Sequence, residues 1–310
     1  MKYRYLFGPI ASRRLGISLG VDLVRRKTCS LDCIYCEAGK TTALTLERRE
    51  YVPTPEVLAE LRDFLAPSPR LDSVTFSGAG EPTLHAGIGE IIQFLKREYP
   101  AYPVTLLTNA LGFSDVELRK EVAAVDLCIP SLDASNEDEF QKINRPANGV
   151  RFDSFVEGLR QYTWETPSHV VLELFLVPGV NDGEDSATRF RDLISSLKIE
   201  KVQLNSLDRP PVEAWVKPCS AAVIHRFVEA LSPVVPVEPV GAFCGVPSSE
   251  ALNLPGPQGA IAALFVAHSS VRVAEIMAKT GLDLCCVTAT LADLFESGLL
   301  TDDSHPKDAR

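Results

Sequence analysis

Apolar and polar positions along the chain fall into short strand-like runs that alternate with helical periods. "GISLGVDLV" (16–24) alternates apolar with small or polar residues and predicts a strand. "LDSVTFS" (71–77), "YPVTLLTN" (102–109), "DLCIPSLD" (126–133), "HVVLELFLV" (169–177) and "KVQLNSL" (201–207) predict five more. Between them the spacing predicts helices over 54–66, 86–99, 114–125, near 136–143, over 152–162 and over 183–198. The first of these has Thr54 as its expected N-cap and Pro55 at its first helical position. Continuous apolar strands separated by helices imply a parallel sheet with helices outside. The crossovers are right-handed, so the expected fold is α/β, a partial (β/α)6 barrel. In such folds the chemistry gathers at the C-terminal ends of the strands.

The βα pattern stops near residue 240. "GAFCGVPSSEALNLPGPQGA" (241–260) is rich in Gly, Pro and Ser, as linkers are. Two helical periods and a turn at Gly281 follow, then a third, as in a helix-turn-helix unit. The expected organisation is a barrel over 1–240, a linker over 241–256 and a small winged-helix-like domain over 257–304.

Charge sharpens the picture. The 310 residues carry a net charge of −10, yet residues 1–50 hold ten Lys and Arg against five Asp and Glu. That basic segment reads either as a solvated face or as cations around an anionic site. Arg13 and Arg14 are candidate substrate contacts within it. No apolar run is long enough for a membrane span. The opening residues lack the apolar stretch of a signal peptide. Eight Cys in a chain of this length do not read as a secreted disulfide framework. A reducing cytoplasm is the expected location.

The densest chemistry is "KTCSLDCIYC" (27–36), where Cys29, Cys33 and Cys36 are spaced C-x3-C-x2-C. A zinc finger wants a second ligand pair, and a plain ferredoxin site wants a fourth Cys. The nearest His, His85, lies 49 residues beyond Cys36. The simplest reading is a 4Fe-4S cluster held by three thiolates, with one iron open to a ligand that is not protein.

"CSLDCIYC" resembles the CxxxCxΦC motif of the radical S-adenosylmethionine superfamily, with Tyr35 as the aromatic residue. The resemblance implies that the open iron chelates the amino and carboxylate groups of S-adenosylmethionine. Reduction then breaks the sulfonium C–S bond, and the 5′-deoxyadenosyl radical abstracts hydrogen from a substrate. The cofactors carry the hard chemistry and the protein positions them. "TFSGAGEPTLH" (75–85) is similar to the family's GGE motif, so Gly80 and Glu81 are expected at the methionine amino group. Ala79 stands where the first Gly would be. Ser131 and Asp133 in "IPSLDAS" resemble ribose-binding positions, and Asp133 also fits a helix cap. Asn109 is expected near the ligand or as a turn former. Arg145 is expected to clamp a carboxylate or phosphate. Val177 resembles the residue that flanks adenine. Asn181, Asn205, Asp208 and Arg209 lie at later strand ends and are candidate substrate contacts.

The motifs over residues 3–240 look like an uncharacterised branch of the superfamily grouped with the tRNA wyosine-synthase-like enzymes. Those synthases hold a second cluster on Cys residues upstream, and this chain has no Cys before Cys29. An RNA nucleotide and a protein or peptide side chain both remain open as substrate. A flavodoxin or ferredoxin-type reductant is implied by the family. From Gly256 to Arg310 there are four basic and seven acidic residues, which argues against DNA and for a docked protein or peptide. The alternative reading is an iron–sulfur sensor coupled to a winged-helix transcription regulator.

Overall fold

The computed structural model describes residues 2–12, 14–24, 27–207 and 209–302. The chain divides into two compact units. Of the described residues, one holds those within 2–173, 196–200 and 211–213; the other holds those within 174–195, 201–210 and 214–302.

The first unit runs β1 (Leu6–Ser12), β2 (Gly16–Val21), two-residue strands β3 (Thr28–Cys29) and β4 (Ala43–Leu44), α1 (Thr54–Leu65), β5 (Ser73–Phe76), α2 (Ile88–Glu98), β6 (Val104–Thr108), α3 (Val116–Val122), β7 (Leu127–Pro130), α4 (Glu137–Ile143) and α5 (Phe152–Glu165), and enters β8 (His169–Phe175). Strands β2, β5, β6, β7 and β8 pair in parallel in that order. They are five of the six expected strands. β1 was not expected: it joins the edge antiparallel to β2, and most of its residues are exposed. An edge strand with little buried surface leaves little apolar signal.

Helix α2 shows how the sequence builds the outer layer. Ile88, Ile91, Ile92 and Leu95 recur at helical spacing and are buried, each contributing about 2 kcal/mol of apolar burial. Inside, β5 reads Ser-Val-Thr-Phe and all four residues are buried. Its hydroxyls are satisfied across the sheet: Ser73 Oγ meets Thr105 Oγ1 at 2.8 Å, and Thr75 Oγ1 meets Ser18 Oγ at 2.6 Å. Such pairing offsets the cost of burying polar groups. The expected cap of α1 is shifted by one. Pro53 occupies the N-cap and Thr54 is the first helical residue. The Thr54 hydroxyl instead lies 3.3 Å from His85 Nε2.

The second unit continues with α6 (Glu184–Ile194), β9 (Lys201–Asn205), α7 (Ala221–Leu231) and β10 (Val237–Pro239). β9, the sixth expected strand, pairs in parallel with β10, a three-residue addition the sequence pattern did not show. Next come β11 (Ala242–Cys244), β12 (Val246–Pro247), α8 (Gly256–Ala267), β13 (Ser270–Arg272), α9 (Val273–Thr280), α10 (Leu284–Glu296) and β14 (Leu300–Thr301). The segment read as a linker therefore carries two short strands, β11 paired with β13 and β12 with β14. Ile261, Phe265, Ile276, Val287 and Leu291 form a buried cluster with Ala221 of α7. No helix among the described residues is long and apolar enough to cross a membrane.

Candidate active site

The three-cysteine loop follows β2 and is pinned on both flanks. On one side Thr42 N and Ala43 N donate to Lys27 O at 2.9 and 3.1 Å, and Thr45 N donates to Cys29 O at 3.0 Å. On the other, residues 30–34 run against 143–147. Asp32 N donates to Asn144 O at 2.9 Å, Ile34 N to Ile143 O at 3.0 Å, and Ala147 N to Ser30 O at 3.0 Å. Backbone pairing of this kind fixes a loop whose regular structure is the two-residue β3. Beneath it, a Cβ at Gly80 would lie 1.8 Å from Thr28 O. Only glycine allows that approach, and Glu81 N then donates to Thr28 O at 3.1 Å.

Each thiol meets one side-chain N–H donor. Lys27 Nζ is 2.7 Å from Cys36 Sγ. Asn109 Nδ2 is 3.5 Å from Cys29 Sγ, and Asn144 Nδ2 is 3.5 Å from Cys33 Sγ. None of the three cysteines is in a disulfide.

Two buried carboxylates stand behind these donors. Glu81 Oε1 accepts from Thr83 N, Thr83 Oγ1 and Thr108 Oγ1 at 3.1, 2.7 and 2.7 Å, and Oε2 accepts from Asn109 N at 2.8 Å. Asp133 Oδ2 accepts from Tyr35 Oη at 2.5 Å and from Asn144 Nδ2 at 2.9 Å. Asp133 does not cap α4; Asn136 does, accepting from Glu139 N.

The sequence model of the Radical SAM superfamily matches residues 24–190, which include the loop, both carboxylates and all three donors. The chain belongs to that superfamily. It is 33% identical over 206 residues to a UPF0026 protein of Synechocystis sp., covering 66% of this chain and 76% of that one. A Brachyspira hyodysenteriae protein named GTPase Obg is 34% identical over 209 residues, 67% of this chain but only 31% of that protein. Among solved structures, a radical SAM methyltransferase from Sphaerobacter thermophilus superposes with a TM-score of 0.56 at 23% identity, covering 71% of this chain and 65% of that one. That likeness concerns the fold, in keeping with the partial barrel the βα repeat predicts.

In this radical SAM enzyme the loop is electrostatically tight. Burial pushes the Cys29 thiol up to about 11, and Cys33 rises for the same reason, with the Asp133 charge adding to it. Burial opposes the charge of Lys27, but its bond to Cys36 and the electrostatic pull of Cys36, Cys29 and Cys33 outweigh that, and its pKa rises. Burial raises Glu81 against its four hydrogen bonds. Tyr35 is raised by burial and by the neighbouring Asp133. Among the described residues no three His, Cys, Asp or Glu side chains are drawn into closed metal-binding geometry. The donor set nevertheless fits an iron–sulfur cluster. The thiols are unpaired, share one short loop and face N–H donors that suit a thiolate, while cluster iron would supply the positive charge that burial withholds from them.

The other predicted positions are placed as follows. Ser131 bridges to Glu173, and Arg14 is salt-bridged to that same Glu173. Arg145 adopts a left-handed backbone, φ 45°, and its guanidinium is paired with Glu213 at 2.6 Å. In the second unit, Asn181 Oδ1 accepts from Val177 N at 2.7 Å and its amide donates to Phe175 O, so Asn181 shapes the turn that holds Val177. Asn205 accepts from Ser206 N through its side chain, and Arg209 is exposed. Arg13 and Asp208 lie outside the described residues. Sequence reasoning missed Asn144 and Lys27 as site residues. The only signals were a cation two places before Cys29 and an Asn beside the Arg already singled out.

Proposed function

We propose that Cys29, Cys33 and Cys36 hold a 4Fe-4S cluster and that S-adenosylmethionine occupies its remaining iron. The carrying observation is the three unpaired thiols gathered in one pinned loop, each facing its own side-chain donor. When bound, the pair supplies reductive cleavage of the sulfonium and a radical able to abstract hydrogen. The chain's own residues do the positioning. Gly80 lets the loop after β5 close on Thr28, and Glu81 fixes the end of β6 through Asn109. Asp133 holds Tyr35 and Asn144 in place. The other five cysteines lie elsewhere in the sequence, and Cys128 and Cys219 are buried. A single cluster follows from this reading.

The electron comes from a flavodoxin or ferredoxin-type donor in the cytoplasm, and the substrate is an RNA nucleotide or a protein side chain. The acidic C-terminal helices suit a docked protein or peptide more than DNA. The test is anaerobic. Reconstituted protein is mixed with dithionite and S-adenosylmethionine, and 5′-deoxyadenosine is quantified by chromatography and mass. Formation that is lost in Cys33→Ala is the expected result. No 5′-deoxyadenosine from cluster-loaded protein, with any candidate substrate present, would overturn the reading.

A further inference from the structure

We propose that Lys27, Asn109 and Asn144 set the reduction potential of the cluster by giving each ligating sulfur one side-chain N–H donor. This rests on the cluster assignment above and goes beyond it, because the donors are fixed by geometry that the cysteine spacing does not contain. They come from three separate segments: the start of the loop, the end of β6 and the end of α4.

The amide orientations are chemically determined. Asn109 Oδ1 accepts from Leu111 N at 3.0 Å, so its Nδ2 is the atom that faces Cys29 and Ser30 Oγ. Asn144 Nδ2 donates to Asp133 Oδ2, and an ionised carboxylate only accepts. Neither amide flips without losing a bond. Glu81 anchors Asn109 through the backbone N–H, and Asp133 anchors Asn144 through the side chain.

Reducing the cluster by one electron adds negative charge that spreads onto its sulfurs. N–H donors stabilise that reduced state and raise the potential. Lys27 has the shortest contact and a full charge, so it has the largest effect. The two amides add smaller, neutral contributions. Behind the two amides stand Glu81 and Asp133, which are both buried.

The test uses full-length protein, reconstituted anaerobically and titrated without S-adenosylmethionine, with the reduced cluster followed by electron paramagnetic resonance. Iron content is measured on every sample. Lys27→Met should shift the midpoint to more negative potential, and Lys27→Arg should stay closer to the parent. Asn144→Ser, too short to reach Cys33, should shift it the same way by less. It carries the test if Lys27→Met fails to hold iron. An unchanged midpoint in iron-replete variants would overturn the inference and leave the cluster assignment standing. Failure of the parent protein itself to hold a cluster would instead sink the proposed function.

Discussion

The backbone N–H of Asn109 donates to the buried carboxylate of Glu81 at 2.8 Å. An acid expected at a ligand is thus bonded to the protein on both oxygens. It joins the turn after β5 to the end of β6, beside the cysteine loop.

Glu81→Gln replaces an acceptor oxygen with an NH2 group in a site lined by donors. The variant should lose about 2 kcal/mol of stability. It should still hold iron, because no thiol is touched. Chemical denaturation and an iron assay on the same sample check both statements.

Gly80→Ala tests the contact between two loops. The added Cβ would meet the carbonyl of Thr28, one residue before Cys29, at 1.8 Å. Backbone cannot yield there as a flexible side chain could. The expected cost is about 3 kcal/mol, together with reduced iron retention. Full iron content and an unchanged denaturation midpoint would show that the loops move apart freely.

Much of this was legible in the sequence, for identifiable reasons. The six expected strands are apolar runs bounded by helices, and all six form. The cysteine spacing marks its own chemistry. β1 was hidden because it is exposed and interrupted by Gly8 and Pro9, and β10 because it is three residues long. Glu81 and Asp133 stood out because the stretches around them resemble family motifs, but their partners did not. Asn144 reaches Cys33 across 111 residues of sequence, and no local pattern encodes that. It follows from the pairing of residues 143–147 with the cysteine loop.

His85 gives the fold a pH dependence. It is buried, Nδ1 accepts from Tyr51 N at 3.1 Å, and Nε2 faces the Thr54 hydroxyl. Burial lowers its pKa below the ordinary 6.5, with Glu50 opposing and Arg48 adding to the shift. Protonating Nδ1 would turn an acceptor into a second donor against the Tyr51 N–H. The contribution is therefore intact above about pH 6.5 and is lost as pH falls below it, where the unfolded chain takes up the proton first. The stability difference between the parent and His85→Gln, followed from pH 7.5 to 5, should shrink on acidification. A constant difference would contradict the assignment.

The central claim is that three cysteines leave one iron for S-adenosylmethionine. The most direct measurement is the electron paramagnetic resonance spectrum of the reduced cluster, recorded before and after adding S-adenosylmethionine. The account predicts a changed spectrum on addition, and loss of the cluster in Cys29→Ala, Cys33→Ala and Cys36→Ala. A spectrum indifferent to S-adenosylmethionine, or full iron in any of those variants, would contradict it.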